Sequence, residues 1–197
     1  MNYLAHAYLS FNHPRILVGN MISDFVKGRG QFTYERQIQM GIRLHRQIDE
    51  YTDHHPATAA AKEFFRADYR LYSGAIIDVL YDHFLANDPS CFASPALLDA
   101  FAQKVYSTLT NAGEELPAGF AALLPYMRAQ NWLYRCHTRE GAARSLEGLV
   151  RRAAYINDAG PAIRTFSTHH QDLQACYNAF IGDVKSFANE AFGQLLS

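Results

Sequence analysis

Two carboxylates lie one helical turn apart in the apolar stretch from Gly74 to Ala86, GAIIDVLYDHFLA: Asp78 and Asp82. At a spacing of four they share one face of a helix. No Lys or Arg occurs between Arg70 and Lys104, so nothing nearby in the chain neutralises them. Burying two ionised acids side by side is costly unless a cation or a distant base compensates. The pair therefore points to a metal-binding or acid/base site. The alternative is an acid pair on a solvated edge, for which the flanking residues leave little polar surface. The same conflict appears upstream, in Ile38 to Asp53 (IQMGIRLHRQIDEYTD). At 100° per residue, Ile38, Gly41, Ile42 and Ile48 fall on one stripe. His45 and Asp49 fall on it too, with Asp53 at its edge, while Arg43, Arg46, Gln47 and Glu50 point elsewhere. A lone inward histidine is usually a satisfied core residue, and Asp49 could simply orient the His45 ring. A second acid-bearing helix makes a functional centre the better expectation.

Two further polar residues sit in apolar company. His6 follows Asn2 by four in MNYLAHAYL, and Asp24 follows Asn20 by four in GNMISDFVKG. Alone, His6 reads as a core histidine and Asp24 as a cap or a surface acid. Together with His45/Asp49 and Asp78/Asp82 they offer imidazole and carboxylate donors from four helices, which is how helical bundles build metal sites in their cores. A set rich in carboxylates, with few His and no Cys, suits Mn²⁺ or Mg²⁺ better than structural Zn²⁺.

These residues must be positioned by helices, because helical spacing runs through nearly every segment. The pattern predicts helices near Asn2–Leu9, Ile16–Lys27, Tyr34–Thr52, Ala57–Phe65, Tyr69–Ala86, Pro95–Leu109, Ala118–Arg128, Asn131–Cys136 and Glu140–Ile156. A long terminal helix from Pro161 to Leu196 follows, with an interruption expected near Gly182. Gly28-Arg29-Gly30, Asn87-Asp88-Pro89-Ser90, Asn111–Pro117 and Gly160-Pro161 punctuate. No repeat, low-complexity stretch or linker divides the chain. The expectation is one all-α domain over residues 1–197, a single-domain helical bundle.

The 197 residues, 49% hydrophobic and 19% charged, suit a globular protein with a large core. A net charge of −1 gives no global attraction to nucleic acid or membrane, so a partner must be read by a local patch. Three scattered cysteines, Cys91, Cys136 and Cys176, fit no zinc spacing and no disulfide framework. With MNYLAHAYLS too polar for a signal peptide and no run of 18 apolar residues, a cytoplasmic location is expected. No GxSxG, P-loop or strand-borne GxGxxG is present. The basic residues form no nucleic-acid stripe. Arg36, Arg43 and Arg46 share part of one outer face, and Arg144, Arg151 and Arg152 cluster on another. Both read as ordinary solvated faces or as a docking surface for an acidic protein.

The blocks MNYLAHAYLS, GNMISDFVKG, GIRLHRQIDEYTDHHP and IIDVLYDHFLA, in that order, resemble the bacterial acyl carrier protein phosphodiesterase (holo-ACP hydrolase) family; Gln130-Asn131-Trp132-Leu133 adds a weaker block. The family is regarded as a divergent relative of the HD-domain metal phosphohydrolases, so the resemblance implies an HD-domain-like helical fold. It also implies Mn²⁺-dependent hydrolysis, with Mg²⁺ as a substitute, of the phosphodiester joining 4′-phosphopantetheine to a carrier-protein serine. The products would be apo-carrier protein and free 4′-phosphopantetheine. On that reading His6, Asp24, Asp78 and Asp82 are metal ligands, and His45 and Asp49 complete the site or act as general acid. Arg43, Arg46, Arg151 and Arg152 would dock the acidic acyl carrier protein. The adjacent His-Asp doublet of HD proteins has no direct match; the nearest is Asp82-His83, reversed, which adds His83 as a catalytic candidate. Two rival expectations stand beside this one: the same chemistry on a nucleotide or another small phosphodiester, and a helical protein that binds acidic carrier proteins without turnover.

Overall fold

The computed structural model describes residues 1–196, and no strand occurs among them. The helices are α1 (Tyr3–Tyr8), α2 (Pro14–Ile22), α3 (Arg36–His54), α4 (Pro56–Tyr69), α5 (Ser73–Ala86) and α6 (Pro95–Ala112). They continue with α7 (Ala118–Ala129), α8 (Trp132–Arg135), α9 (Arg139–Arg152), α10 (Gly160–Thr168) and α11 (His170–Leu196). Proline opens α2, α4 and α6, where its missing N–H would have been unpaired anyway. Side chains of His13, His55, Ser94 and Thr138 accept a free backbone N–H at the starts of α2, α4, α6 and α9.

The departures from the expected elements are local. The helix expected over Ile16–Lys27 ends at Ile22 and gives way to a 3₁₀ turn, Ser23–Phe25, which carries Asp24. The terminal helix breaks at His169, not at Gly182. The His169 ring packs on Phe64 at 4.8 Å and pairs with Asp172 in the first turn of α11. Gly182 stays inside α11 because that helix buries Leu173, Tyr177, Phe180, Val184, Ala188 and Ala191. Burial of this stripe outweighs the roughly 1 kcal/mol that an interior glycine costs.

Two packings set up the site. α5 is apolar all round because it is enclosed: α1, α4, α9 and α11 pack against it, and residues 79–86 are all buried. α2 lies directly on α3, backbone to backbone. A Cβ added at Gly19 would stand 2.0 Å from the Ile38 carbonyl oxygen and 2.9 Å from Cα of Gly41. Only glycine on both helices permits this approach, and it places the last turn of α2 against the middle of α3.

Candidate metal centre

Asn20, in that last turn of α2, organises two histidines at once. It is completely buried. Its backbone carbonyl, one of those a helix C-terminus leaves without an internal partner, accepts from His45 Nδ1 at 2.8 Å. Its side-chain amide donates to the His6 carbonyl at 2.9 Å and to Ser10 Oγ at 3.1 Å. A carbonyl only accepts, so His45 Nδ1 carries a proton, and His45 Nε2 is the atom offered to the site. It lies 3.2 Å from Asp24 Oδ1 and 3.1 Å from Asp49 Oδ2. His6 Nε2 lies 3.0 Å from the other Asp49 oxygen, and the His6 and His45 rings stack at 3.8 Å.

Donor atoms of His6, His45 and Asp49 all lie within 4.8 Å of one another. Asp24 adds a carboxylate from the 3₁₀ turn. Asp24 is mostly exposed, so the centre opens to solvent on that side. Burial lowers the affinity of His45 for a proton, but Asp24 and Asp49 raise it, to a pKa of about 9. Burial and the neighbouring His45 push His6 down to about 4. Burial would raise Asp49, yet His45, His6 and the amino group of Met1 hold its carboxyl far below the usual range.

That amino group is the cation missing from the sequence around α5. It donates to Asp78 Oδ1 at 2.9 Å and to Asp49 Oδ1 at 3.2 Å. With His45 neutral, Asp24, Asp49 and Asp78 set three carboxylates against one ammonium, a deficit of two positive charges. A proton on His45 Nε2 meets half of it, and one divalent cation among the four side chains meets all of it. Two imidazoles and two carboxylates fit Mn²⁺ or Mg²⁺ with room for oxygen ligands from outside the chain. The buried His6 Nδ1 has no partner among the described residues, so that ring is held by stacking and by Nε2 alone.

The structure thus brings together His6, Asp24, His45 and Asp49. It separates the other three candidates. Asp78 reaches the centre only through the Met1 amino group. Asp82, expected as a ligand, has both oxygens occupied by the backbone N–H groups of Leu4 (2.8 Å) and Ala5 (3.0 Å). It caps α1 from a distant helix, a task Asn2 does not perform. Burial raises its pKa to about 7 against the pull of those two donors. His83, expected to be catalytic, points away: its Nδ1 donates to the Cys136 carbonyl at 2.8 Å, and its ring packs on Phe166 and His170. Asp53, at the edge of the α3 stripe, pairs with Lys62 instead.

The four expected docking arginines also divide. Arg43 is exposed on α3. Arg46 is committed: it donates to the Val26 carbonyl at 3.1 Å and to Gln31 at 3.2 Å, fastening the segment that carries Asp24 to α3. Arg151 and Arg152 end α9 and line a cavity beside Tyr3. Sequence reasoning passed over Met1 and Asn20. The spacing of Asn20 from Asp24 was visible, but its bonds depend on how α1, α2 and α3 cross.

The family model for acyl carrier protein phosphodiesterase matches residues 1–184 of this chain. The chain belongs to that family. A relative from Yersinia pestis named acyl carrier protein phosphodiesterase is 33% identical over 180 residues, covering 91% of this chain and 93% of the relative. Another so named, from Yersinia enterocolitica, is 30% identical over 96% of this chain and 98% of its own length. A third, from Pectobacterium atrosepticum, is 32% identical over 91% of this chain and 90% of its own. No solved structure matches the chain. As a member of this family the chain is a phosphodiesterase, a hydrolase of phosphoric diesters. None of its described helices is long and apolar enough to cross a membrane.

Proposed function

We propose that the chain hydrolyses the phosphodiester between 4′-phosphopantetheine and the serine of an acyl carrier protein, at a centre made by His6, Asp24, His45 and Asp49 and loaded with Mn²⁺. The closeness of the His6, His45 and Asp49 donor atoms, all within 4.8 Å of one another, with the exposed Asp24 carboxylate 3.2 Å from His45 Nε2, supports the reading. The family's name supplies the carrier protein as substrate. A divalent cation held by these residues would offset the negative charge on the phosphoryl oxygens and lower the pKa of water toward neutrality. The protein's own part is preorganisation. The Asn20 carbonyl fixes the His45 tautomer, Asp49 spans both rings with its two oxygens, and Arg46 holds the Asp24 turn against α3. His45 and Asp49 serve to hold the cation rather than to move the serine proton, because their polar atoms are turned inward on one another. Asp78 serves the centre indirectly, by sharing the Met1 ammonium with Asp49.

The test is to incubate the protein with holo-carrier protein and follow the carrier by mass spectrometry. Loss of the 4′-phosphopantetheine mass is expected with Mn²⁺ and not with chelator, and His45→Ala should abolish it. Undiminished turnover in chelator, or in His45→Ala, would remove the centre from the reaction. Turnover of a small pantetheine phosphodiester with none of the carrier protein would overturn the substrate.

A further inference from the structure

A second feature lies next to this centre. The start of α1, α5, α8 and α9 enclose a cavity of about 260 Å³. Tyr3 and Trp132 line it, together with Arg135, Arg144, Arg151 and Arg152. Glu147 is the one acid in the lining. Arg144 pairs with Glu140 at 2.5 Å. Among the described residues, Arg135, Arg151 and Arg152 have no ion-pair partner. Arg151 and Arg152 fold back over α9 where Gly148 leaves room: their guanidinium nitrogens lie 3.8 and 3.5 Å from where a Cβ on Gly148 would stand. Three arginines without an ion-pair partner among the described residues, and a fourth shared with Glu140, thus line a single small space. In a chain of net charge −1 this arrangement asks for an anion. Arginine forks suit a phosphate, which they grip with paired hydrogen bonds.

The size and wall narrow the ligand. A folded protein cannot enter 260 Å³, but a flexible arm can. Aromatic rings beside charged forks suit a molecule with an uncharged arm and one strongly anionic end. The cavity is joined to the centre through α1. Tyr3 lines it and feels both the Asp24 and the Arg152 charges, and His6 stands one turn further along the same helix. We infer that the cavity is a product site: it takes 4′-phosphopantetheine after cleavage, with the phosphate on the arginines and the pantetheine arm against Tyr3 and Trp132. The inference rests on the reaction proposed above. In that step the oxygen of water bonds to phosphorus, the bond from phosphorus to the serine oxygen breaks, and the serine oxygen takes a proton. The phosphodiester, a monoanion, becomes a phosphomonoester, which carries about −1.5 to −2 at pH 7. The gain in charge favours transfer of the phosphate from the acid-rich centre to the arginines.

Trp132 is the only tryptophan of the chain, so tryptophan fluorescence reports from the lining of this cavity. The full-length protein is titrated in EDTA with 4′-phosphopantetheine, with pantetheine and with inorganic phosphate. We expect 4′-phosphopantetheine to change the emission saturably, and each of the other two to bind at least tenfold more weakly. Arg144→Gln combined with Arg151→Gln should weaken 4′-phosphopantetheine at least tenfold while circular dichroism and melting temperature stay unchanged. Calorimetry in the same buffer guards against a silent fluorophore. No binding by either method, or binding unaffected by the double variant, overturns the proposal. Inorganic phosphate binding as tightly as 4′-phosphopantetheine overturns the role of the arm. The two readings fail separately: hydrolysis of holo-carrier protein without this binding removes the cavity and leaves the reaction. Binding without hydrolysis removes the reaction and leaves a phosphate-binding cavity.

Discussion

The His6 and His45 rings lie nearly parallel, 3.8 Å apart with 14° between their planes, and their Nε2 atoms face the two oxygens of one carboxylate, Asp49. The two histidines, 39 residues apart in sequence, come from α1 and α3. Stacked imidazoles do not both carry a charge comfortably, and here burial and mutual repulsion keep His6 neutral while the two acids hold a proton on His45. The metal-free cluster thus holds one positive charge on its two rings, the proton of His45. On the function proposed above, His6, His45 and Asp49 would hold a divalent cation in place of that proton.

Metal binding should accordingly be visible as stability. A ligand of the native state alone stabilises it by about 2.7 kcal/mol at a hundred times its dissociation constant. For a chain of this length that is roughly 5–10 °C in melting temperature. Mn²⁺ should raise the melting temperature by this amount, chelator should reverse it, and His45→Ala should lose the response. A melting temperature indifferent to Mn²⁺ and Mg²⁺ would mean that the cluster is an internal ion network and no metal centre.

Asp82 and Asp49 should part company on substitution. Asp82→Asn leaves one oxygen and turns an amide N–H₂ toward a backbone N–H that needs an acceptor. The cost is about 1–3 kcal/mol of stability, with Mn²⁺ affinity largely kept, because neither oxygen faces the centre. Asp49→Asn should do the reverse: it should cut Mn²⁺ affinity and turnover by orders of magnitude. Denaturant unfolding together with Mn²⁺ titration separates the two. Equal loss of metal affinity in both variants would return Asp82 to the ligand set.

This contrast marks what the sequence could carry. Periodicity placed His45 and Asp49 on the inward face of α3; His45 is buried there, and Asp49 lies half-buried beside it, 3.1 Å from its Nε2. It placed Asp78 and Asp82 one turn apart on a helix with little polar surface, and α5 is such a helix. What periodicity cannot carry is which group from elsewhere in the chain meets each acid. Asp82 meets N–H groups 78 and 77 residues away and Asp78 meets the amino group of Met1, so one acid is a cap and the other an ion-pair partner. Arg46 looked free by the same logic, since its face of α3 is polar. It is committed because the segment after α2 that carries Val26 and Gln31 folds back over that face. Helix starts were legible because proline and caps act locally. The break at His169 was not, because it depends on contacts with α4 and α5.

His83 should make the fold acid-sensitive. Burial pushes its pKa down from 6.5 to about 4 while Nδ1–H donates to the Cys136 carbonyl. Between pH 6.5 and 4 the unfolded chain takes up a proton there and the native chain does not. Stability from this residue is therefore complete above pH 6.5 and is lost as pH falls toward 4, by on the order of 3 kcal/mol. His83→Gln should be less stable at pH 7, through lost packing, yet show a shallower fall between pH 6.5 and 4. Chelator-treated protein followed by urea unfolding at several pH values gives both slopes. Parallel slopes would place the acid sensitivity in other groups.

The crossing of α2 and α3 should prove the least tolerant point in the molecule, for the fold and the centre together. A methyl group at Gly19 would sit 2.0 Å from the Ile38 carbonyl oxygen, and one at Gly41 would sit 2.2 Å from that of Ile16. In both cases the obstacle is backbone, which cannot rotate aside as a side chain can. The helices must then separate, and overpacking of this kind costs about 1–3 kcal/mol or more. Separation also withdraws the Asn20 carbonyl from His45 Nδ1 and the Asn20 amide from the His6 carbonyl, bonds that need the 2.8–2.9 Å approach. Gly19→Ala should therefore lower the urea midpoint and, under conditions where the variant is still folded, weaken Mn²⁺ at least tenfold, although residue 19 offers no ligand. Gly182→Ala, inside α11 with nothing within 4 Å of the new methyl, should do neither and should stabilise slightly. A Gly19→Ala variant that loses stability but binds Mn²⁺ at wild-type strength would show that His45 keeps its orientation without Asn20.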